Sequence, residues 1–159
     1  MEFFTIGVYH SKEDEFFNKL IVTKIDTLCD IRQRRGVRGK EYSFVNSNYL
    51  QQRLKELNIR YEYIKELAPT NEVRQYQKDE DKRLKEKKRD RKVASNIFVA
   101  AYKDLILSKF DMNEFIQHMK IIGAKKIVFL CLEQNAEACH RNIIIEKLHN
   151  EYCFKIKNL

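Results

Sequence analysis

The residues best suited to chemistry lie in one short stretch, CLEQNAEACHR, at residues 131–141. It contains two thiols, a carboxylate, an imidazole and a guanidinium, on Cys131, Glu133, Cys139, His140 and Arg141. If a helix begins near Cys139, its free N–H groups and the positive end of its dipole favour an anion there. The same field favours a thiolate at Cys139, beside His140 as a proton carrier. A thiol nucleophile is therefore one hypothesis for this stretch.

A second polar group follows an earlier apolar run, in DIRQRRGVRGK at residues 30–40. Asp30 and Glu133 are predicted to end neighbouring strands, where two carboxylates can act as acid and base or hold a divalent ion. The alternative is that they only form ion pairs with Arg32 or Arg141, which are also candidates for gripping phosphate. The catalytic candidates are Asp30, Glu133, Cys139 and His140, and the anion-binding candidates are Tyr9, His10, Arg32, Arg35, Arg38 and Arg141.

The cysteine spacing argues against zinc. Cys131, Cys139 and His140 stand as C-x7-C-H, which lacks the close pairs of structural zinc sites, and adjacent side chains seldom converge on one tetrahedral ion. We therefore predict no metal site, and no cofactor is indicated. Cys131 lies inside a strand pattern, so inert packing is the alternative to a chemical role for it.

The charge distribution suggests an anionic partner. The chain carries 31 basic and 23 acidic residues, a net charge of +8, and residues 72–92 contribute ten of the basic and six of the acidic ones. Such a positive field attracts a phosphorylated small molecule or a nucleic acid. The alternative is that residues 72–92 form a helix whose charges are only solvated and bind no partner. Apolar runs such as KIVFLCL are far shorter than the roughly 20 residues of a membrane span. With no secretory signal in MEFFTIG and no disulfide framework, we expect a soluble cytoplasmic protein with no membrane partner.

Strand-like and helix-like segments alternate along the chain. The strand candidates are FFTIGVY, KIDTLCDI, IRYEYI, KKIVFLCLE and CFKI. The alternation predicts a single α/β domain over residues 1–159, a three-layer Rossmann-like sandwich with a mostly parallel sheet of about five strands. KKIVFLCLE is expected at the centre, because it is almost continuously apolar, and CFKI at an edge. The charged residues 71–93 are expected to form a helical insertion or lid.

Several stretches together resemble the family called domain of unknown function 488. They are TIGVYHS, LCDIR, LNIRYEYIKELA, CLEQNAEACHR and IIIEKL, between Thr5 and Leu148. The resemblance implies an α/β fold and a site built from D-x-R and C-x-E…C-H-R elements, here Asp30, Arg32, Cys131, Glu133, Cys139, His140 and Arg141. The loop QRRGVRGK departs from the family pattern, in which a loop containing Ser and Pro commonly follows D-x-R.

Three functions fit these features. The first is a small enzyme acting on a phosphate-bearing or nucleic-acid substrate at the Asp, Arg, Glu and Cys-His-Arg residues. The second is a non-catalytic module that binds nucleic acid through the arginine-rich loop at residues 31–40 and the charged helix at residues 72–92. The third is a thiol-based redox or sulfur-transfer protein, which requires Cys131 and Cys139 to lie near enough to pair.

Overall fold

The computed structural model describes residues 1–159, which form a five-stranded sheet with helices on both faces. This confirms the three-layer α/β prediction. The strands are β1 (Glu2–Ile6), β2 (Thr27–Asp30), β3 (Arg60–Tyr63), β4 (Lys126–Leu130) and β5 (Lys155–Asn158). The helices are α1 (Glu13–Thr23), α2 (Ser47–Glu56), α3 (Asn71–Leu84), α4 (Asn96–Tyr102), α5 (Met112–Ile121) and α6 (His140–Tyr152). None of these helices combines the length and the apolar character needed to cross a bilayer.

The strands are all parallel and lie in the order β3-β2-β4-β1-β5. The predictions that KKIVFLCLE is central and that CFKI forms an edge strand are confirmed. The chain first runs outward from β1 to β3 and then returns through β4 to β5. Because parallel crossovers are right-handed, this reversal places the helices of the two halves on opposite faces of the sheet.

Each face of the sheet has its own apolar core. Helices α1 and α2 cover one face, where Phe16 and Leu50 pack against strand residues such as Val128. Helices α4, α5 and α6 cover the other, where Phe115 and Ile144 belong to the cluster on the opposite side of β4. β4 is therefore buried on both faces, as a near-continuous apolar run requires.

The register brings three strand ends to one edge of the sheet. Leu130 at the end of β4 pairs with Ile6 at the end of β1 and with Asp30 at the end of β2. The residues that follow these three strand ends are Gly7, Ile31 and Cys131. Since β4 lies where the strand order reverses, this edge is the position at which parallel α/β sheets bind ligands.

The charged segment is only partly helical. α3 ends at Leu84, and Lys85 adopts a left-handed conformation with φ of 54°. The helix therefore covers only part of residues 71–93, and beyond it Arg91 donates a hydrogen bond back to Asp81 at 2.7 Å. Residues 85–95 form a loop, which we call the basic loop segment, and it turns back toward the sheet.

Gly7 is the tightest point at this edge. A Cβ atom on Gly7 would lie 2.3 Å from the backbone oxygen of Glu133 and 2.8 Å from Gln134 Cα. We predict that Gly7→Ala lowers the free energy of unfolding by about 2 kcal/mol, since backbone atoms must move to admit the methyl group. Urea unfolding followed by circular dichroism measures the change.

Gly36→Ala is the matched control. A Cβ there would meet only Asn46 Oδ1 at 3.8 Å, an ordinary contact. Its unfolding free energy should stay within about 0.5 kcal/mol of the parent chain. Equal effects of the two substitutions would mean that the closeness of the 133–134 backbone does not restrict which side chain position 7 can hold.

Candidate active site

A pocket of about 790 Å³ lies beyond the joined strand ends. Its walls come from the loop at residues 32–42, from one side of α3 and from the basic loop segment. Its buried base, here the pocket floor, consists of Cys131, Glu133, Cys139 and His140, each at most 6% exposed. The volume is typical of a site for a small organic ligand.

The lining of this pocket is strongly cationic. It contains ten basic residues and three acidic ones, Glu41, Asp81 and Glu133. The basic residues are Arg32, Arg34, Arg38, Lys40, Arg74, Lys78, Lys87, Lys88, Arg89 and Arg91. The two basic stretches of the sequence therefore converge on one cavity, where their summed field attracts an anionic ligand.

Cys139 and His140 form a hydrogen-bonded pair on the pocket floor. Cys139 is the N-cap of α6, and its Sγ lies 3.3 Å from His140 Nδ1. On the other side of the ring, Nε2 lies 3.0 Å from the carbonyl oxygen of Ile31. A carbonyl only accepts hydrogen bonds, so Nε2 carries a proton, and in the neutral form of the ring Nδ1 presents its lone pair to the thiol. The arrangement is that of a nucleophile, a base and a group that orients the base.

Cys131 is a second thiol on the floor, bonded differently. Its S–H donates to Glu133 Oε2 over 3.0 Å. The contact with the Cys139 thiol, burial and the Glu133 carboxylate raise the pKa of Cys131 well above its usual value. Cys131 is therefore a protonated thiol at neutral pH and is not itself the nucleophile.

The Glu133 carboxylate is buried and held by two cations. Oε1 lies 3.1 Å from Arg91 Nη2 and 3.3 Å from Lys88 Nζ. Burial alone would raise the pKa of Glu133, but Lys88, the Cys131 thiol and Arg91 outweigh it and hold that pKa well below its usual range. Glu133 is thus ionised at neutral pH, with its charge already neutralised from within the protein.

Asp30 and Glu133 do not share a site. Asp30 is fully buried, accepts hydrogen bonds from Arg32 Nε at 2.8 Å and Nη2 at 2.7 Å, and accepts another from Tyr61 at 2.8 Å. It does not line the pocket, whereas Arg32 does. Nη1 of Arg32 is buried and has no hydrogen-bond partner within the protein. Asp30 thus orients the guanidinium of Arg32 at the wall of the pocket.

The other anion-binding candidates divide into two groups. Tyr9 and Arg38 line the pocket. His10, Arg35 and Arg141 do not, and each bonds within the protein. His10 lies 3.0 Å from the carbonyl of Arg89, and Arg35 stacks over the Tyr63 ring at 4.1 Å.

Arg141 has a structural contact in place of the expected ligand contact. It is 1% exposed, and its Nη2 donates to the carbonyl oxygens of Glu133 and Gln134. It thereby fixes the turn that carries Glu133 onto the pocket floor. In the C-H-R element, Arg141 is therefore the residue that supports this turn.

Lys88 and Arg91 are the site residues that sequence reasoning missed. Arg91 is 6% exposed and bonds to Asp81, to Glu133 and to the carbonyl of Ala138. In the sequence both residues stand in a run of surface-type charges, and nothing in their spacing separates them from their neighbours. The unpaired acid Glu133, far along the chain, is the only signal that a buried cation was needed.

Three potential metal-ligating atoms also meet on the floor. Each of Cys131, Cys139 and His140 contributes one potential ligand atom, and these three atoms lie within 4.8 Å of one another. The side chains of the adjacent residues Cys139 and His140 come together here because Cys139 precedes α6 in an extended conformation while His140 is the first helical residue. The two sulfur atoms lie within the same distance.

Comparison with known proteins finds one match. A family model described as Domain of unknown function DUF488 matches residues 12–148. No curated protein matches the chain, and no solved structure matches it. The matched range covers most of the chain and includes the whole pocket floor.

Removing the charge of Glu133 tests whether its ion pairs stabilise the folded protein. We predict that Glu133→Gln lowers the free energy of unfolding at neutral pH by about 3 kcal/mol, because it leaves Arg91 partly unpaired in a buried position. The folded pKa of Glu133 lies below its unfolded value of about 4.3. Its stabilisation is therefore complete above that pH and is lost as the pH falls below it. Denaturant unfolding of both proteins between neutral and acidic pH measures the difference.

Glu80→Gln is the matched control for this prediction. It removes the carboxylate of the exposed Arg83–Glu80 pair on α3, and surface pairs contribute little. No measurable change in unfolding is expected. A Glu133→Gln protein as stable as the parent chain at every pH would contradict the role given to this carboxylate.

Proposed function

Because the chain belongs to the family described as Domain of unknown function DUF488, whose description states no activity, we propose its function from the site itself. We infer a small enzyme that binds a phosphate-bearing substrate among the basic side chains and acts on it through the Cys139 thiol. The observation that carries this proposal is the Cys139–His140–Ile31 hydrogen-bond chain on the floor of the cationic pocket.

The geometry supports nucleophilic catalysis in two stages. The thiol proton passes from Cys139 Sγ to His140 Nδ1 as the sulfur bonds to an electrophilic centre of the substrate. The imidazolium then gives that proton to the leaving group. A water molecule, deprotonated by the same ring, attacks the enzyme-bound intermediate and releases Cys139 as a thiol. The carbonyl of Ile31 keeps the ring oriented throughout, since it bonds Nε2 in both protonation states.

Three features favour phosphate as the anion. The lining carries seven more basic than acidic residues, from ten and three. The free N–H of Arg32 is fixed in direction by Asp30, which suits the directional binding of a phosphate oxygen. The N-terminus of α6, which begins at His140 next to Cys139, adds backbone N–H groups. A substrate phosphate held by these groups would place an adjacent atom near the sulfur.

A nucleic-acid-binding module is the second candidate. The observation that favours it is the exposure of Arg34, Arg38, Lys40, Lys87 and Arg89 around the pocket mouth. Such a rim can contact successive phosphates of a single strand, with an affinity that falls steeply with salt. In this alternative the pocket floor is a structural element only.

Selective thiol labelling tests the nucleophile. We predict that iodoacetamide alkylates Cys139 of the metal-free protein and that His140→Gln slows this reaction about tenfold, since the thiol loses its base. Peptide mapping by mass spectrometry follows each cysteine separately. Cys153, which is exposed, is the internal reference, and its labelling rate should be the same in both proteins.

Unchanged labelling of Cys139 in His140→Gln would contradict the proposed pair. So would labelling of Cys139 no faster than that of Cys29, a buried thiol within β2. A Cys139→Ser protein confirms that the modified peptide is assigned correctly.

Ligand protection tests the substrate class. We predict that pyrophosphate or adenosine monophosphate slows alkylation of Cys139 and leaves Cys153 unaffected, because the anion occupies the pocket above the floor. Arg38→Ala should weaken this protection about tenfold, the scale of one lost charge-assisted hydrogen bond. Lys109→Ala, a substitution of an exposed residue outside the pocket lining, should leave the protection unchanged.

Oligonucleotide binding and protection of Cys139, measured on the same proteins, distinguish the enzyme from the nucleic-acid-binding module. If a labelled single-stranded oligonucleotide binds equally well to the parent chain and to Cys139→Ser, and the small phosphates give no protection, the binding module is favoured. Protection by the small phosphates, lost in Arg38→Ala and kept in Lys109→Ala, supports the pocket as a substrate site.

A further inference from the structure

The pocket floor contains one thiol more than a nucleophile–base pair uses. Cys131 is 6% exposed, bonds to Glu133 and takes no part in the Cys139–His140 chain. Yet its sulfur lies within 4.8 Å of both the Cys139 sulfur and the coordinating nitrogen of His140. Thiol catalysis needs only one thiol and one imidazole, so it does not explain why a second thiol lies beside them.

We propose that Cys131, Cys139 and His140 bind one Zn²⁺ ion, with a fourth coordination position facing the cationic pocket. In a tetrahedral zinc site the ligand atoms lie about 3.5 to 3.8 Å apart. Here Cys139 Sγ and His140 Nδ1 are 3.3 Å apart and no pair exceeds 4.8 Å. Shifts of about 1 Å or less in the side chains complete the geometry.

The surroundings of His140 are those of a metal ligand. A ligating imidazole almost always donates its other N–H to a carbonyl or a carboxylate, which fixes the ring and its tautomer. Nε2 of His140 does this toward Ile31 at 3.0 Å, and Nδ1 then points to the thiols. Burial of all three ligand residues keeps them in these positions before an ion arrives.

The ligand types select the ion. Two thiolates and one imidazole suit zinc rather than magnesium or calcium, which prefer oxygen. The ion displaces the two thiol protons as it binds, so the two thiolates neutralise its charge. Glu133 Oε2 lies 3.0 Å from Cys131 Sγ, but Lys88 and Arg91 hold the other oxygen of that carboxylate, Oε1, and Glu133 is not among the three residues whose ligand atoms converge. We therefore place Glu133 outside the ligand set, which leaves the fourth position to a water or a ligand oxygen.

The zinc form and the free thiol are alternative states of the same atoms. In a zinc-bound Cys139 the sulfur donates one lone pair to the ion and loses much of its negative charge, so alkylation of that sulfur is slowed. The ion also takes the His140 nitrogen that serves as the base, so Zn²⁺ binding suppresses the thiol chemistry. The three ligand atoms converge in this way whatever substrate enters the pocket.

Cobalt titration of the reduced, metal-free full chain tests the site. Co²⁺ bound by thiolates in a tetrahedral site gives sulfur-to-cobalt charge-transfer absorption and intense visible bands. We expect one Co²⁺ per chain, displaced by one Zn²⁺. Cys131→Ser should remove one thiolate and reduce the charge-transfer intensity by about half, with affinity weakened at least about tenfold. His140→Gln should weaken affinity at least as much.

Two other cysteines provide matched controls. Cys153→Ser removes the exposed thiol and Cys29→Ser removes a buried thiol outside the cluster, and neither should change the spectrum. Absence of tetrahedral bands, an unchanged spectrum in Cys131→Ser or loss of the bands in Cys153→Ser would overturn the proposal. Circular dichroism of each metal-free variant confirms that it is folded.

Protection of the parent chain supplies a test without any substitution. One equivalent of Zn²⁺ should block alkylation of Cys139 while Cys153, which is exposed, reacts normally. Blocking of Cys153 alone, or of none of them, overturns the site. The nucleophile proposal is tested on metal-free protein, so it can fail while zinc binds, and zinc binding can fail while Cys139 remains reactive.

Discussion

The buried charge of Glu133 is the constraint on which the site depends. The turn after β4 carries this carboxylate to a position that is 5% exposed, where an unpaired charge would cost several kcal/mol. The balancing cations come from Lys88 and Arg91, far earlier in the chain. The ion pairs therefore draw the basic loop segment across the strand ends. Without them the pocket would have no wall on this side, because few apolar side chains anchor that segment.

A second set of polar contacts connects neighbouring strand ends. Asp30 at the end of β2 fixes the guanidinium of Arg32, and the next carbonyl, that of Ile31, fixes the ring of His140 at the start of α6. Arg141 in turn holds the backbone at residues 133 and 134. Each reactive group is therefore oriented by a buried partner from another element. Such preorganisation is what both nucleophilic catalysis and metal binding require.

The strand positions, and several of the residues that line the pocket, were predictable from the sequence for a physical reason. A strand buried on both faces must be apolar almost throughout, so KKIVFLCLE marked β4 and its central place. Polar residues directly after such strands lie at one edge of a parallel sheet. That rule and the expected helix start near Cys139 brought Arg32, Glu133, Cys139 and His140 into one set, and all four line the pocket. The same rule gave too much weight to Asp30, whose carboxylate faces Arg32 and Tyr61 instead.

What the sequence determined by itself is the layered fold and the edge at which polar groups gather, because both follow from local apolar patterns and from strand direction. What only the tertiary structure decided is how those groups are paired. A run of charges looks the same whether its side chains are solvated or, like Arg91, buried against a carboxylate 42 positions away. The roles of Arg141, as a support for the turn, and of Cys131, beside the Cys139–His140 pair, were likewise decided by burial and distance in space. Local sequence does not encode those distances.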